Sequence, residues 1–356
     1  MNKVFTNKDI ANINIKNRLV LPPMVCFSFA DENGFVSDKN IDHYTQIAKN
    51  GIGLIIVEAT AIDPKGRLSI DQLGIWDDKY IEGLSKIADT IHENGAKAFI
   101  QIHHAGLKTS KAATDDIVSS SDYEDNKTKA RGLSEDEIKE LIRSFVRAAE
   151  RAKTAGFDGV EIHGAHGYLL TQFFSEKVNK RSDKYGGNFK NRNRIAEEIY
   201  KCIRYKLGEE FIIGIRMGCN ENSLEESIKR AEAFETLGYN YLNISTGFDN
   251  SPLEEEVPKD FPGNFIVYGA SRIKENVSIP VIGVNMIKDP ADISDLINKD
   301  LLDFVAIGRG QLADYNFTKH LKDDEDILTC LECKPCKWFS NGDNCPRQIQ
   351  VKKENQ

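Results

Sequence analysis

The 356-residue chain is predicted to fold as a (β/α)8 TIM barrel of the α/β class. Three observations lead there. Eight short apolar runs recur over about 290 residues, from Arg18 to Gly310. Most are continuous rather than alternating, as strands of a parallel sheet covered on its outer face should be. Amphipathic stretches fill the gaps between them. A doubly wound sheet competes, but it would more typically have five or six strands. It would also need a glycine fingerprint straight after the first strand, and Leu21–Phe27 has none.

In order, the runs are Arg18–Met24, Gly53–Thr60, Lys97–His104, Gly159–Ala165, Phe211–Gly218, Tyr239–Gly247, Pro280–Asn285 and Asp303–Gly310. Helical patterns between them include Tyr80–Asn94, Ser134–Ala155 and Leu224–Leu237. Gly95, Gly156 and Gly238 stand just past the last turns, where a left-handed cap is wanted. Ser134 with Glu137 three residues on reads as a capping box. The polar stretch Thr109–Leu133 is too long for a simple connection, so it is expected to be a lid or a mobile insertion at the active-site mouth after the third strand. The barrel is expected to occupy residues 1–323, and a charged, cysteine-rich tail residues 324–356.

Composition excludes several classes. The formal charge is −8, and Lys and Arg are scattered rather than striped, so no nucleic-acid partner is expected. No run approaches the roughly 18 apolar residues that would cross a bilayer. Met1–Ile10 holds no signal-peptide core. There are seven cysteines, an odd number, and Cys26, Cys202 and Cys219 are dispersed, which fits a reducing cytoplasmic compartment.

A barrel of this kind places chemistry at the C-terminal ends of its strands, and polar residues gather there. The third run ends in Gln101, His103 and His104, with Lys108 beyond; the fourth ends in His163, followed by His166 and Tyr168. Arg216 ends the fifth, Gly283 and Asn285 the seventh, Gly308 and Arg309 the eighth. His163 and His166 read either as two donors to one oxygen, with Tyr168 as a proton source, or as metal ligands. Gly283, Gly308 and Arg309 match the phosphate cradle of the fold. Arg216 reads as a salt-bridge partner of a carboxylate such as Glu161, or as a cation for a bound anionic ligand.

Together these residues resemble the old yellow enzyme (NADH:flavin oxidoreductase) family. The resemblance is carried by Asn17-Arg-Leu-Val-Leu-Pro-Pro-Met24, by Phe157–Tyr168 with Leu169–Phe174, and by Asn179-Lys-Arg-Ser-Asp-Lys-Tyr-Gly-Gly187 with Asn191-Arg192. It runs from about Phe5 to Ala313. What it implies is a flavoprotein oxidoreductase, an ene-reductase whose FMN reduces activated C=C bonds of α,β-unsaturated carbonyl compounds with NADH or NADPH. Carried over, Gln101 would bond the flavin pyrimidine edge and Arg216 would sit near N1 and the C2 carbonyl. Gly283, Asn285, Gly308 and Arg309 would belong to the FMN site, the glycines and Arg309 on the phosphate. Pro23, Met24 and Ala59 would line the isoalloxazine. His163 and His166 would grip the substrate carbonyl, and Tyr168 would protonate the α-carbon. A homo-oligomer with a small-molecule alkene substrate is expected.

The sequence also departs from its relatives. His166 in place of asparagine fits the thermophilic-like branch, yet that branch's cysteine after Pro-Met is here Val25, with Cys26 one residue later and on the opposite strand face. Phe27 stands where a tyrosine is common. In the tail, Cys330, Cys333, Cys336 and Cys345 followed by Pro346 suggest a zinc site or a [4Fe–4S] cluster. Larger family members such as 2,4-dienoyl-CoA reductase carry such a cluster beyond the barrel. Alternatively Trp338 and Lys337 would reach a neighbouring subunit's active site. The rival functions are a metal-dependent barrel lyase or hydrolase, and a non-catalytic or electron-transfer flavoprotein using the cysteine tail.

Overall fold

The structure, a computed structural model, describes residues 2–249 and 251–354. Eight parallel strands close into a barrel in chain order: β1 (Leu19–Leu21), β2 (Leu54–Ala61), β3 (Lys97–His103), β4 (Gly159–Gly164), β5 (Ile212–Gly218), β6 (Tyr241–Ser245), β7 (Val281–Val284) and β8 (Phe304–Ala306). Each lies inside one of the eight apolar runs, except that β2 extends one residue beyond its run, to Ala61. All eight residues of β2 and all seven of β5 are buried, because helices cover one face and the barrel interior the other. That is why these runs do not alternate.

The interior of the barrel is filled, not hollow. Val20, Ile56, Phe99, Tyr241 and Phe304 pack with Ile10 and Ile15 of a hairpin (Lys8–Ile10 with Ile13–Ile15) into one apolar cluster. Only the opposite end is left for chemistry.

The outer helices follow their local signals. Residues Glu135–Thr154 start at a capping box in which the Glu137 N–H donates to Ser134 Oγ at 3.3 Å and the Ser134 N–H to Glu137 Oε2 at 2.8 Å. Gly156 and Gly238 take φ of +93° and +110°, left-handed values that glycine adopts without strain.

The insertion after β3 differs from its expectation. It folds into a small three-stranded sheet (Val118–Ser119, Tyr123–Glu124 and Lys129–Gly132). Arg181, held by Asp183, donates to the carbonyls of Ser120 at 2.7 Å and Leu133 at 2.5 Å, and Ser120 Oγ donates to the Gln172 carbonyl. The Asn179–Gly187 motif is therefore the fastening of this segment to the barrel, and no insertion residue lines the main cavity.

The tail runs back over the barrel mouth of its own chain. Trp338 is 2% exposed, donates its indole N–H to the Val25 carbonyl at 2.8 Å, and packs on Phe29 and His43. The Gly342 N–H donates to the Phe27 carbonyl at 2.9 Å, and Gln348 Nε2 to the Leu312 carbonyl at 2.6 Å. Trp338 is thus buried against its own barrel rather than extended to a neighbour. Among the described residues, no helix is long and apolar enough to cross a membrane.

Candidate active site

A cavity of about 640 Å³ opens at the C-terminal end of the barrel, and all eight strands or the residues just after them reach its walls. This volume is in the range of small-molecule and cofactor sites.

One wall is aromatic and neutral. His163, at the end of β4, is 3% exposed, and its Nδ1 accepts the Ala165 N–H at 3.2 Å. Burial first, then the neighbouring His166 and His103, hold its ring well below the ordinary imidazole range. A neutral ring whose Nδ1 is an acceptor carries its proton on Nε2, so His163 is a donor there. His166 sits at φ +60°, a left-handed conformation fixed by its N–H to the Thr246 carbonyl and by Lys108 Nζ to its own carbonyl. Its Nε2 pairs with Ser245 Oγ at 2.7 Å. Tyr168 meets the His163 ring edge-on, 4.8 Å between centroids, and burial pushes its phenol up to about 12.

The facing side is built around a buried carboxylate. Glu161 accepts from Gln101 Nε2 at 2.7 Å, Asn243 Nδ2 at 3.0 Å and Tyr241 OH at 3.2 Å. Burial raises its carboxyl, and the Arg216 charge works against that rise. Arg216 does not take the salt-bridge role: Nη1 donates to the Pro23 carbonyl at 3.4 Å, and Nε has no partner. Gln101 Oε1 is likewise buried and partnerless. Both residues line the cavity, an acceptor and a cation awaiting a ligand.

Pro23, Met24 and Ala59 supply apolar surface, and Asn285, Gly308 and Arg309 close the far end. A Cβ on Gly308 would lie 2.7 Å from Met24 Sδ, so a side chain there would displace the Met24 thioether at the cavity wall. Gly283 departs from the expected cradle. It is not in the cavity wall, and a Cβ there would come within 2.3 Å of Leu302, so its missing side chain serves packing. Val25 lines the cavity while Cys26 is buried behind it, its N–H on Glu58 Oε2 at 2.8 Å and its thiol pushed well up by burial.

The four tail cysteines are free thiols of intermediate burial. Among the described residues no three His, Cys, Asp or Glu side chains are gathered so as to hold an ion. Cys330 and Cys336 line the cavity, whereas Cys333 and Cys345 do not. Sequence reasoning missed that the tail, through Glu332, Trp338 and Phe339, makes a cavity wall, and it missed Ser245. Ser245 had a visible signal, a polar residue at the end of the sixth run.

These features define an α/β barrel whose mouth is polar, neutral on one side and cationic on the other. The profile of the NADH:flavin oxidoreductase / NADH oxidase family matches residues 3–326, and the chain belongs to that family. It is 41% identical over 342 residues to an NADH oxidase of Thermoanaerobacter brockii, covering 93% of this chain and 52% of that protein. It is 35% identical over 313 residues to an NADPH dehydrogenase of Clostridium acetobutylicum, covering 86% and 91%. The structure of a 2-naphthoyl-CoA reductase complex superposes with a TM-score of 0.88 at 25% identity, over 98% of this chain and 57% of that one. The chain thus spans about half the length of the first and third of these relatives. The orphaned Gln101 Oε1 and Arg216 Nε fit FMN, which offers a polar ring edge able to donate a hydrogen bond and to carry negative charge.

Proposed function

We propose that the chain is an FMN-dependent ene-reductase that uses NAD(P)H to reduce activated C=C bonds next to a carbonyl. The observation that carries this reading is the His163 ring, neutral, with Nδ1 already occupied and its Nε2–H on the cavity beside the Tyr168 phenol. Bound in the cavity, FMN would supply the hydride chemistry, from the nicotinamide to the β-carbon of the alkene.

The chain's own residues do the rest. His163 and His166 hold the carbonyl oxygen while negative charge builds on it, an effect of about 3 kcal/mol per well-aimed donor. Tyr168 is protonated at neutral pH and donates to the α-carbon. Gln101 Oε1 accepts an N–H from the flavin's pyrimidine edge, and Arg216 favours an anion there. Met24, Pro23 and Ala59 form the apolar floor. Asn285, Gly308 and Arg309 hold the phosphate end. The 2-naphthoyl-CoA bound by one relative, a carbonyl attached to an unsaturated ring, is in line with such a substrate.

The test is anaerobic mixing of the purified yellow protein with NADH or NADPH and 2-cyclohexen-1-one. Equal consumption of nicotinamide and enone is expected. Nicotinamide oxidation with no loss of any enone would overturn the reading.

A further inference from the structure

One side chain at the site has no part in the chemistry above. His103, the last residue of β3, is fully buried, and neither ring nitrogen has a hydrogen-bond partner. Gln101 and Arg216 also hold partnerless atoms, but those residues line the cavity, where a ligand would satisfy them. His103 does not line it. Its ring instead meets Tyr168 edge-on, 4.8 Å between centroids with planes at 79°, and lies 5.5 Å from the His163 ring.

Burial, and then the neighbouring His104, push the His103 imidazole down to about 3. It is neutral at working pH, with one N–H donor and one lone pair. Buried polar atoms without partners are uncommon because they cost stability. A leucine would fill much the same space without that cost. In the resting site the donor therefore has no use. The proposed reaction creates one: when Tyr168 gives up its proton, its oxygen carries a negative charge in a water-poor pocket.

Two cations lie near Tyr168: the Arg216 charge favours its phenolate, but the free Nε of Arg216 is left for the anionic ligand edge described above. Lys108 Nζ, 5.5 Å from the phenol ring, donates to the His166 carbonyl, and Arg216 Nη1 donates to the Pro23 carbonyl. We propose that His103 is a positioning residue that acts through Tyr168, its idle N–H stabilising the phenolate formed when Tyr168 protonates the substrate. This inference rests on Tyr168 being the proton donor.

The experiment compares the flavin-loaded wild type with His103→Leu, His103→Gln, Tyr168→Phe and the His103→Leu/Tyr168→Phe pair, on 2-cyclohexen-1-one. His103→Leu should lower kcat about tenfold or more with little change in KM, and leave the rate of flavin reduction by NAD(P)H alone. His103→Gln keeps an N–H and should recover much of the loss. In the Tyr168→Phe background His103→Leu should add nothing. The melting temperature of His103→Leu should rise by about 2 °C, since the orphaned nitrogens are gone. Unchanged kcat in His103→Leu, an equal loss without Tyr168, or a lower melting temperature would each overturn the role of His103. Were Tyr168→Phe itself without effect, the proton-donor reading would fall, and this inference with it.

Discussion

Gln101 donates its amide nitrogen to Glu161 across 2.7 Å, and this one hydrogen bond decides which end of Gln101 is left for a ligand. With the nitrogen committed, the buried carbonyl oxygen stands free at the cavity. Glu161 accepts from three donors in all, so an amide in its place must turn its NH2 against one of them. Glu161→Gln should therefore loosen or flip Gln101 and weaken FMN binding about tenfold, the effect of roughly one charged hydrogen bond. Quenching of FMN fluorescence on addition of apoprotein measures it. Unchanged affinity would mean that Gln101 is not the reader of the flavin edge.

His163 and His166 predict a separation of binding from turnover. His166 shares Nε2 with Ser245 and His163 Nδ1 takes the Ala165 N–H, so both rings are aimed by fixed partners, and burial keeps them neutral. The His163→Ala/His166→Ala double variant should keep FMN but lose enone turnover by at least about 100-fold. Its affinity for simple phenols, read as a charge-transfer band, should fall in parallel. Phenol binding equal to wild type would remove the donor role.

Much of this site was legible because the barrel rule converts chain position into spatial position. Strand ends eighty residues apart in sequence, such as His163 and Ser245, land together whatever lies between. Residue-level direction was not legible. Gly283 and Gly308 look alike in sequence, yet one glycine answers to Leu302 and the other to Met24. The tail was opaque for another reason. Trp338 touches Val25 across more than 300 residues with no periodic pattern to announce it.

Trp338 makes that long-range contact testable. Trp338→Phe removes the donor to the Val25 carbonyl and should cost about 1 kcal/mol, while Trp338→Ala also empties a buried aromatic site and should cost about 3–5 kcal/mol of tail docking. Limited trypsin digestion reads the docking directly. Cleavage after Lys337, which is exposed, should accelerate in the order wild type, Trp338→Phe, Trp338→Ala. The loop of Val25 and Phe27 loses its cover at the same time, so substrate KM should rise with the digestion rate. Identical digestion of all three proteins would show that the tail is held elsewhere.

The buried titrating groups set the shape of the pH–stability curve. Burial pushes His43 and His103 down to about 3 and His104 to about 4, and holds His163 and His166 well below the ordinary 6.5. Below pH 6.5 these five take up protons only on unfolding, which removes stability as pH falls. Burial acts oppositely on Glu58 and Glu221, raised to about 7, and on Glu161, also raised from the ordinary 4.5: these release protons on unfolding in the same window. Five imidazoles outweigh the carboxyls, so the unfolded chain binds more protons in net and stability should climb as pH rises from 5 to 6.5. The imidazole contribution is half gone at pH 6.5 and fades over about one further unit, while Glu58 and Glu221, raised to about 7, oppose it less and less above that pH. A melting temperature that rises from pH 5 and levels off near neutrality is expected at constant ionic strength. A flat profile from pH 5 to 6.5 would mean that imidazoles at the site are charged in the folded protein, and neutral donors at His163 and His166 would then have to be abandoned.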